Sequence, residues 1–335
     1  MLVVTPKNLS ILTMIVLAFG CSKKEEKKSE DSPNSTDGQN NTDVLDSTID
    51  VIPVRNDEKS GPNSTPFKTE ITVNGVLHTS YYNRATSSPY FQSSTELKDL
   101  FPDISNPRTS QLCLPTIMSY ELYTQLAAKP ALLSSKAETH LMKPIYDQVR
   151  DMYKVCETDR YRGTTAPQAA NCAIKAAFAM GLVPHVQVIG VDAKWKDGGY
   201  YIESVSTEMR ALKNEDVINS VANQTSAMFL IGFYDTTDGV NFTRIGGHFI
   251  SITATGLASN ETSGSMRAWI VDPALPGNEK AGANNPFNAT IAPFKRSNES
   301  NLDPLIEKEI VGSKLEAAGL RIFIESEIRF SMSRE

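Results

Sequence analysis

The sequence predicts an α+β fold in which N-terminal helices pack on an antiparallel β-sheet. Apolar residues recur with a helical period over residues 113–181 and with a period of two over most of the chain that follows. Strands and helices do not alternate regularly, which disfavours a parallel βαβ sheet. The net charge is −6 and long basic runs are lacking, so the composition excludes nucleic acid as an expected partner.

The N-terminal composition predicts export and a lipid anchor. The apolar run over residues 11–19 is too short to span a bilayer, which takes about 20 residues, and is typical of a signal peptide. The residues leading to Cys21 resemble the lipobox of bacterial lipoproteins. This resemblance implies a signal peptide over residues 1–20 and lipidation of Cys21. The alternative is an ordinary secretory signal with a chance cysteine.

A polar segment follows the anchor. Residues 21–66 are rich in Ser, Asn, Asp, Lys and Glu, and we expect a disordered tether because they offer too little apolar area to bury. The remaining residues, 67–335, are expected to form one folded domain. Ser22 follows Cys21, which in a two-membrane bacterium resembles the outer-membrane sorting pattern. The sequence therefore predicts a protein anchored in the cell envelope, at the outer membrane.

Helix and turn signals dominate the first half of the domain. Asn74-Gly75 lies between two β-rich runs and predicts a hairpin. A short capped helix is expected over residues 93–101. A longer helix is expected to start beside Cys113, with one apolar face formed by residues spaced four apart. These residues are Leu114, Met118, Leu122 and Leu126.

Two further helices and a series of strands complete the expected order. The helices lie over residues 134–159 and 164–181, and the second is expected to be capped by Thr164 or Thr165 and ended by Gly181. One more helix is expected over residues 214–224. The expected strands are 183–193, 200–206, 226–235, 248–256, 267–274 and 320–332.

A histidine and an aspartate are expected to meet across one hairpin. Placing His248 directly opposite Asp272 pairs Thr255 with Ser265 and leaves a loop over residues 256–264 that is bounded by glycines. Directly opposite residues have Cβ atoms about 5 Å apart. The carboxylate of Asp272 could therefore orient the imidazole of His248.

Cys113 is the candidate nucleophile. A helix N-terminus favours the thiolate form of a cysteine, and a nearby imidazole activates it further. The alternative for Cys113 is a buried structural thiol, for His248 a hydrogen-bonded residue at a strand end, and for Asp272 a turn residue before Pro273. The sequence predicts Cys113, His248 and Asp272 as the catalytic residues.

Four motifs resemble those of papain-like cysteine peptidases of the bacteriocin-leader-processing type. They are CLPT at 113–116, GTTAP at 163–167, GHFI at 247–250 and WIVDP at 269–273. The resemblance implies a papain-like fold, with helices on an antiparallel sheet, and hydrolysis of a peptide or protein substrate without a cofactor.

Two positions depart from that family's pattern. Leu114 replaces the glycine that follows the nucleophile, and position 107 lacks the glutamine that donates to the oxyanion. The amides of Gln111 and Asn106 are the nearest candidates for that donor. No CxxC or HExxH spacing is present and the chain has four histidines, so no metal site is expected.

The remaining cysteines lie on the apolar stripes of consecutive helices. Cys156 and Cys172 could therefore form a disulfide in an oxidising compartment, and the alternative is two buried thiols. This pairing would leave Cys113 as the one free thiol. Other functions stay open beside peptide hydrolysis: transglutaminase-like acyl transfer, a non-catalytic peptide-binding module, and a structural envelope lipoprotein.

Overall fold

The structure is a computed structural model that describes ten segments of the chain. These segments are residues 67–73, 76–82, 90–100, 111–158, 164–191, 205–222, 225–258, 264–274, 287–313 and 320–334. The signal peptide, Cys21, the tether and Asn106 lie outside the described residues. None of the helices in these segments is both long enough and apolar enough to cross a membrane.

Ten strands and five α-helices occupy the described segments. The strands are β1 (Phe67–Val73), β2 (Val76–Tyr82), β3 (Val183–Gly190), β4 (Val205–Glu208), β5 (Ser226–Asp235), β6 (Thr243–Ala258), β7 (Met266–Val271), β8 (Ala289–Pro293), β9 (Lys308–Val311) and β10 (Leu320–Ser333). The helices are α1 (Cys113–Ala128), α2 (Ser135–Leu141), α3 (Ile145–Cys156), α4 (Ala166–Ala179) and α5 (Asn214–Ala222). Two short 3-10 helices lie at Thr95–Leu100 and Pro130–Leu132.

Six strands form a closed antiparallel barrel. Strands β5 to β10 pair in sequence order, and β5 also pairs with β10, which closes the ring. The expected papain-like α+β fold is therefore wrong, because the sheet closes on itself. Periodicity predicted most of these strands correctly but carries no information on which strands pair, so it could not predict closure.

Four more strands extend the barrel sheet on either side. The hairpin of β1 and β2 is confirmed, with Val73 opposite Val76, and β2 pairs with the C-terminal half of β6. On the other side β3 pairs with β10, and β4 lies parallel to β3. The barrel strands β6 and β10 are long enough, at 16 and 14 residues, to serve both the barrel and these extensions.

Alternate residues of the barrel strands face opposite cores. Phe229 and Ile231 of β5 and Ile250 of β6 belong to the interior cluster, which Val217 and Val221 of α5 also join. The neighbouring positions point outward, into a larger cluster that the helices share. The helices thus cover the outside of the barrel, and α5 packs against its interior core.

Helix α1 is buried over more of its surface than the predicted apolar face. That face is buried as expected, and Ser119, Glu121 and Gln125 are as buried as its leucines, whereas Tyr123 is 43% exposed. The helix lies between the barrel strands and α3, so tertiary packing also covers polar positions that the spacing left to solvent. Its start at Cys113 agrees with the sequence.

The caps of α4 also agree with the sequence. The Thr165 hydroxyl accepts a hydrogen bond from the Gln168 backbone N–H, and the Gln168 side chain accepts one from the Thr165 N–H. This reciprocal pair is a capping box. Gly181 follows the helix with φ of 69°, a left-handed conformation that glycine adopts without steric cost.

A disulfide ties α3 to α4. It joins Cys156, the last residue of α3, to Cys172, with the two Cα atoms 4.3 Å apart. The sequence separation between the two cysteines is 16 residues. The bond closes a loop that contains the connection between these two helices.

We expect loss of this disulfide to destabilise the domain. Replacing both Cys156 and Cys172 by Ala should lower the free energy of unfolding by about 3 kcal/mol, because the unfolded chain regains the loop entropy that the bond removes. Urea unfolding in non-reducing buffer measures this change. The Phe178→Ala variant, which changes an exposed residue of α4 and keeps the bond, is the control, and an unchanged midpoint in the double variant would contradict the prediction.

Candidate functional site

His248 and Asp272 meet at one end of the barrel. The imidazole Nε2 lies 2.6 Å from Asp272 Oδ1. Both side chains are almost completely buried, at 1% and 3% exposure. A hydrogen bond to a carboxylate in such surroundings is stronger than one in water and holds the ring in place.

The contact forms in a different register from the predicted one. Ser251 pairs with Val271, and the same register brings Asp272 to the level of Ile250. Ile250 is two residues from His248 along β6, so Asp272 and His248 are diagonal neighbours. Diagonal neighbours two residues apart remain within reach of long side chains. Beyond an irregularity after Ile252, Thr255 pairs with Ala268, so the predicted Thr255–Ser265 pair and the loop over residues 256–264 are wrong.

The turn after β7 fixes the carboxylate. Asp272 Oδ1 also accepts a hydrogen bond of 2.7 Å from the Ala274 N–H. The Pro273 carbonyl accepts one of 2.8 Å from the N–H of Gln92, which is 1% exposed. Gln92 lies far from this turn in the sequence and carries no local signal, so sequence reasoning missed it. The segment around Gln92 holds the turn from outside the barrel.

The hydrogen bond to Asp272 sets the tautomer of His248. A carboxylate only accepts, so Nε2 carries the proton that it shares with Asp272. In the neutral ring, Nδ1 is then the nitrogen with a lone pair, and it is the atom able to take a proton. The pair of side chains thus has the form of an oriented general base.

Cys113 begins helix α1 and is 1% exposed. Its sulfur is in a disulfide whose partner lies outside the described residues. The prediction that Cys113 is the one free thiol is therefore wrong for this state of the protein. Which cysteines pair depends on how segments that are distant in sequence pack together. The apolar stripes of single helices carry no information on that packing.

Helix α1 runs parallel to β6. Glu121 accepts a hydrogen bond from the Ser251 hydroxyl, and Gln125 donates one of 3.0 Å to Ser226 Oγ. Met228 of β5 pairs with Ser251 of β6, and the two strands are antiparallel. Ser226 of β5 therefore lies beside a part of β6 that is nearer to the C-terminus of β6 than Ser251 is. Progress along the helix therefore follows progress along the strand.

This parallel course brings Cys113 to the level of His248. Cys113 precedes Glu121 by eight residues, which is about 12 Å along a helix. His248 precedes Ser251 by three residues, which is about 10 Å along a strand. The first turn of α1 therefore lies at the height of the imidazole on β6.

The two groups belong to different faces of β6. His248 pairs with Ile231, whose side chain joins the barrel-interior cluster, whereas Phe249 joins the cluster that includes α1. On the helix side at this level, Gly247 pairs with Gly232, and neither has a side chain. At this level, the face of the sheet toward α1 therefore presents the backbone of Gly247 and Gly232, while His248 points to the opposite face.

Gln111 lies in the segment leading into α1. Its side chain is nine-tenths buried, and its Oε1 has no hydrogen-bond partner among the described residues. Gln111 precedes Cys113 by two residues. Its amide and the unpaired backbone N–H groups of the first turn therefore belong to the same helix terminus as the Cys113 sulfur. Gln111 is the described candidate for an oxyanion donor, and Asn106 lies outside the described residues.

The other histidines lie elsewhere in the fold. His140 is buried on α2, and burial lowers its pKa despite Asp151, whose Oδ2 is 3.9 Å from Nδ1. His185 on β3 is exposed and lies 3.1 Å from Ser333 Oγ. Within the described segments, no group of three or more His, Cys, Asp or Glu side chains could hold a metal ion.

Comparison with known proteins adds no family to this description. No protein-family model matches the chain, and no curated protein matches it either. The motifs at Cys113, His248 and Asp272 therefore stay a resemblance. The function has to be argued from the site itself.

The His248–Asp272 pair should also contribute to stability. Asp272→Ala leaves a buried imidazole without its acceptor and should lower the free energy of unfolding by about 3 kcal/mol. Chemical unfolding of the Asp272→Ala and His248→Ala variants and of their combination measures the coupling. The double variant should cost clearly less than the sum of the single variants, and additive losses would show that the two side chains do not stabilise each other.

Proposed function

We propose that this protein is a cell-envelope lipoprotein whose folded domain hydrolyses peptide or amide bonds. Cys113 is the nucleophile, His248 the general base and then acid, and Asp272 the residue that orients His248. The observation that carries the proposal is the buried 2.6 Å contact of His248 Nε2 with Asp272. Cys113 starts a helix whose spacing along β6 indicates a similar level on the barrel. The substrate is a peptide or protein, and no cofactor takes part.

The chemistry follows from the roles of these groups. The Cys113 thiol gives its proton to His248 Nδ1, and the sulfur attacks the carbonyl carbon of the substrate. Because the two groups lie on different faces of β6 in this structure, this step requires the first turn of α1 or the His248 side chain to move so that they meet. The C–N bond breaks as the leaving amine takes the proton from the imidazolium, which leaves an acyl thioester on Cys113. Water then gives a proton to Nδ1, attacks the thioester and releases the acid and the thiol. The first-turn N–H groups and Gln111 would stabilise the oxyanion in both steps.

The proposed lipid anchor and a disulfide at Cys113 exclude each other. The chain has four cysteines and Cys156 pairs with Cys172, so a lipidated Cys21 leaves no cysteine of this chain to pair with Cys113. The lipidated protein therefore carries Cys113 as a thiol and should hydrolyse its substrate without a reductant, whereas a form with Cys113 in a disulfide should be active only after reduction.

A non-catalytic peptide-binding module is the second candidate. The burial of Cys113 and His248, each at 1% exposure, favours it, as do their positions on different faces of β6. In such a module the His248–Asp272 contact would only stabilise the barrel end. Transglutaminase-like acyl transfer would use the same residues, with an amine in place of water as the acceptor.

The reactivity of Cys113 with pH should separate these candidates. After reduction, an activated Cys113 should be alkylated by iodoacetamide at pH 6 about 100-fold faster than an ordinary thiol, which is roughly 0.3% thiolate there. His248→Ala should remove most of this gain, and Asp272→Asn should remove less because the base itself stays. Mass spectrometry of the digest assigns the alkylated residue. Cys113→Ala should abolish hydrolysis of a casein substrate.

The binding-module hypothesis gives the opposite result. In that case Cys113 shows the pH profile of an ordinary thiol, and His248→Ala leaves the profile unmoved. Such a result would also exclude acyl transfer. If Cys113 is activated, adding an amine such as putrescine distinguishes transfer from hydrolysis by the product formed.

The lipid anchor is tested separately. We expect Cys21→Ser to move the protein from the membrane fraction to the soluble fraction, because the thiol that carries the lipid is lost. Cell fractionation and metabolic labelling with an alkyne fatty acid measure this change. Ser22→Ala is the matched control and should remain lipidated in the outer membrane. Unchanged membrane association of the Cys21→Ser protein would refute the anchor.

A further inference from the structure

A cavity of about 900 Å³ lies away from His248, on the outer surface of the barrel. It sits between the connection from β5 to β6 and the loop that joins β8 to β9. The first residue of β6 that lines it is Arg244, four residues before His248 and thus about 13 Å along the strand. The cavity is therefore separate from the candidate catalytic residues.

Hydrogen bonds within the loop and to the start of β6 fix the shape of this cavity. Asn301 clamps the loop to the start of β6, because its Oδ1 accepts a hydrogen bond of 2.7 Å from the Phe242 N–H and its Nδ2 donates to the Phe242 carbonyl. Arg296 Nη1 donates to the Leu302 carbonyl at 2.9 Å. A site fixed in this way loses little entropy when it binds.

The base of the cavity is aromatic. Phe242 and Phe294 stand edge to face with ring centroids 5.6 Å apart, and Phe294 is half-buried. The Arg321 guanidinium lies 4.7 Å from the Phe294 ring centroid and supports it. Tyr234 completes the aromatic lining. Phe242 and Tyr234 are only 6% and 7% exposed, so Phe294 is the ring that a further aromatic side chain could contact, in the edge-to-face geometry that such rings prefer.

The charge at the base is already neutralised. Arg244 binds Glu325 through two hydrogen bonds of 2.6 and 2.8 Å, and the Tyr234 hydroxyl donates to the same carboxylate at 2.6 Å. Burial raises the pKa of Tyr234, so the hydroxyl stays protonated as a donor. Arg244 therefore adds little net positive charge to the cavity.

The polar rim of the cavity, here called the lip, offers neutral hydrogen-bond donors and acceptors and has a small negative net charge. Among the described lining residues of the lip, Arg296 is opposed by two carboxylates, which gives a formal charge of −1. Hydroxyl and amide side chains fill the rest of the lip. The lip residues are Arg296, Ser297, Asn298, Ser300, Asn301, Asp303 and Glu307. This surface disfavours a polyanion and suits a chain of alternating N–H and C=O groups.

We propose that this cavity binds a peptide segment by taking one of its aromatic side chains onto Phe294, which Phe242 supports from behind, while the lip hydrogen-bonds the backbone around it. The aromatic base supplies the affinity and the amide and hydroxyl lip supplies the orientation, which is the usual division in ligand sites. The proposal stands apart from the thiol chemistry, because none of the residues involved takes part in it.

Fluorescence anisotropy with two blocked, fluorescein-labelled pentapeptides tests the proposal. Ala-Ala-Phe-Ala-Ala should bind about tenfold more tightly than Ala-Ala-Ala-Ala-Ala, because only the first places a ring on the aromatic base. Ser297→Trp introduces a large side chain from the exposed lip and should abolish this binding, while the matched Ser297→Ala variant should retain it. Phe294→Ala should remove the preference for the aromatic peptide.

Two controls keep the outcomes distinct. Phe178→Ala removes an exposed aromatic ring of α4 outside the cavity and should bind both peptides as the unchanged protein does, whether or not the protein proves to be a hydrolase. Near-equal affinities of the two peptides, or binding of the aromatic peptide that survives Ser297→Trp, would overturn the proposal. Binding of a chitin-derived trisaccharide in place of either peptide would also overturn it and identify a sugar site.

Discussion

The pairing of β5 with two neighbours is the constraint on which the rest of this structure depends. Over almost its whole length β5 bonds to β6 on one side and to β10 on the other. Closure satisfies the backbone groups on both edges of β5 and separates an interior apolar core from an outer one. The outer face positions α1 to α4 and the cavity, whereas the inner face positions His248 and Asp272 and receives α5.

Buried polar contacts fix the helix that carries Cys113. Glu121 and Gln125 are buried on α1 and bond to Ser251 and Ser226 of the barrel. A helix held only by apolar packing could slide along the strands at small cost, whereas a displaced buried polar group would lose its partner. These bonds therefore set the height of Cys113 on the barrel, and with it the relation between the thiol and the strand of His248.

A close approach links the barrel to the base of the cavity. A Cβ atom on Gly232 would lie 2.2 Å from a carboxylate oxygen of Glu325, so only glycine allows this carboxylate to lie against β5. From that position Glu325 binds Arg244 and Tyr234 and makes a neutral base for the aromatic residues above it. The same glycine pairs with Gly247, beside His248. This pair of glycines therefore lies beside Glu325 at the base of the cavity and beside His248 in the chain.

The sequence by itself determined the local elements: the hairpin of β1 and β2, the start of α1 at Cys113, the Thr165 cap and the contact of His248 with Asp272. These follow from turn chemistry, capping and alternation, which depend on near neighbours in the chain. Only the tertiary structure decided the closure of the barrel, the register between β6 and β7, the burial of polar positions on α1, and the cavity beside Phe242. Closure, burial and cavity each require residues far apart in sequence to meet. The register differs from the predicted one by two residues already at Ser251 and Val271, and by a third residue after the irregularity that follows Ile252. Registers two residues apart place the same side chains on each face, so periodicity carries no signal for any of these features.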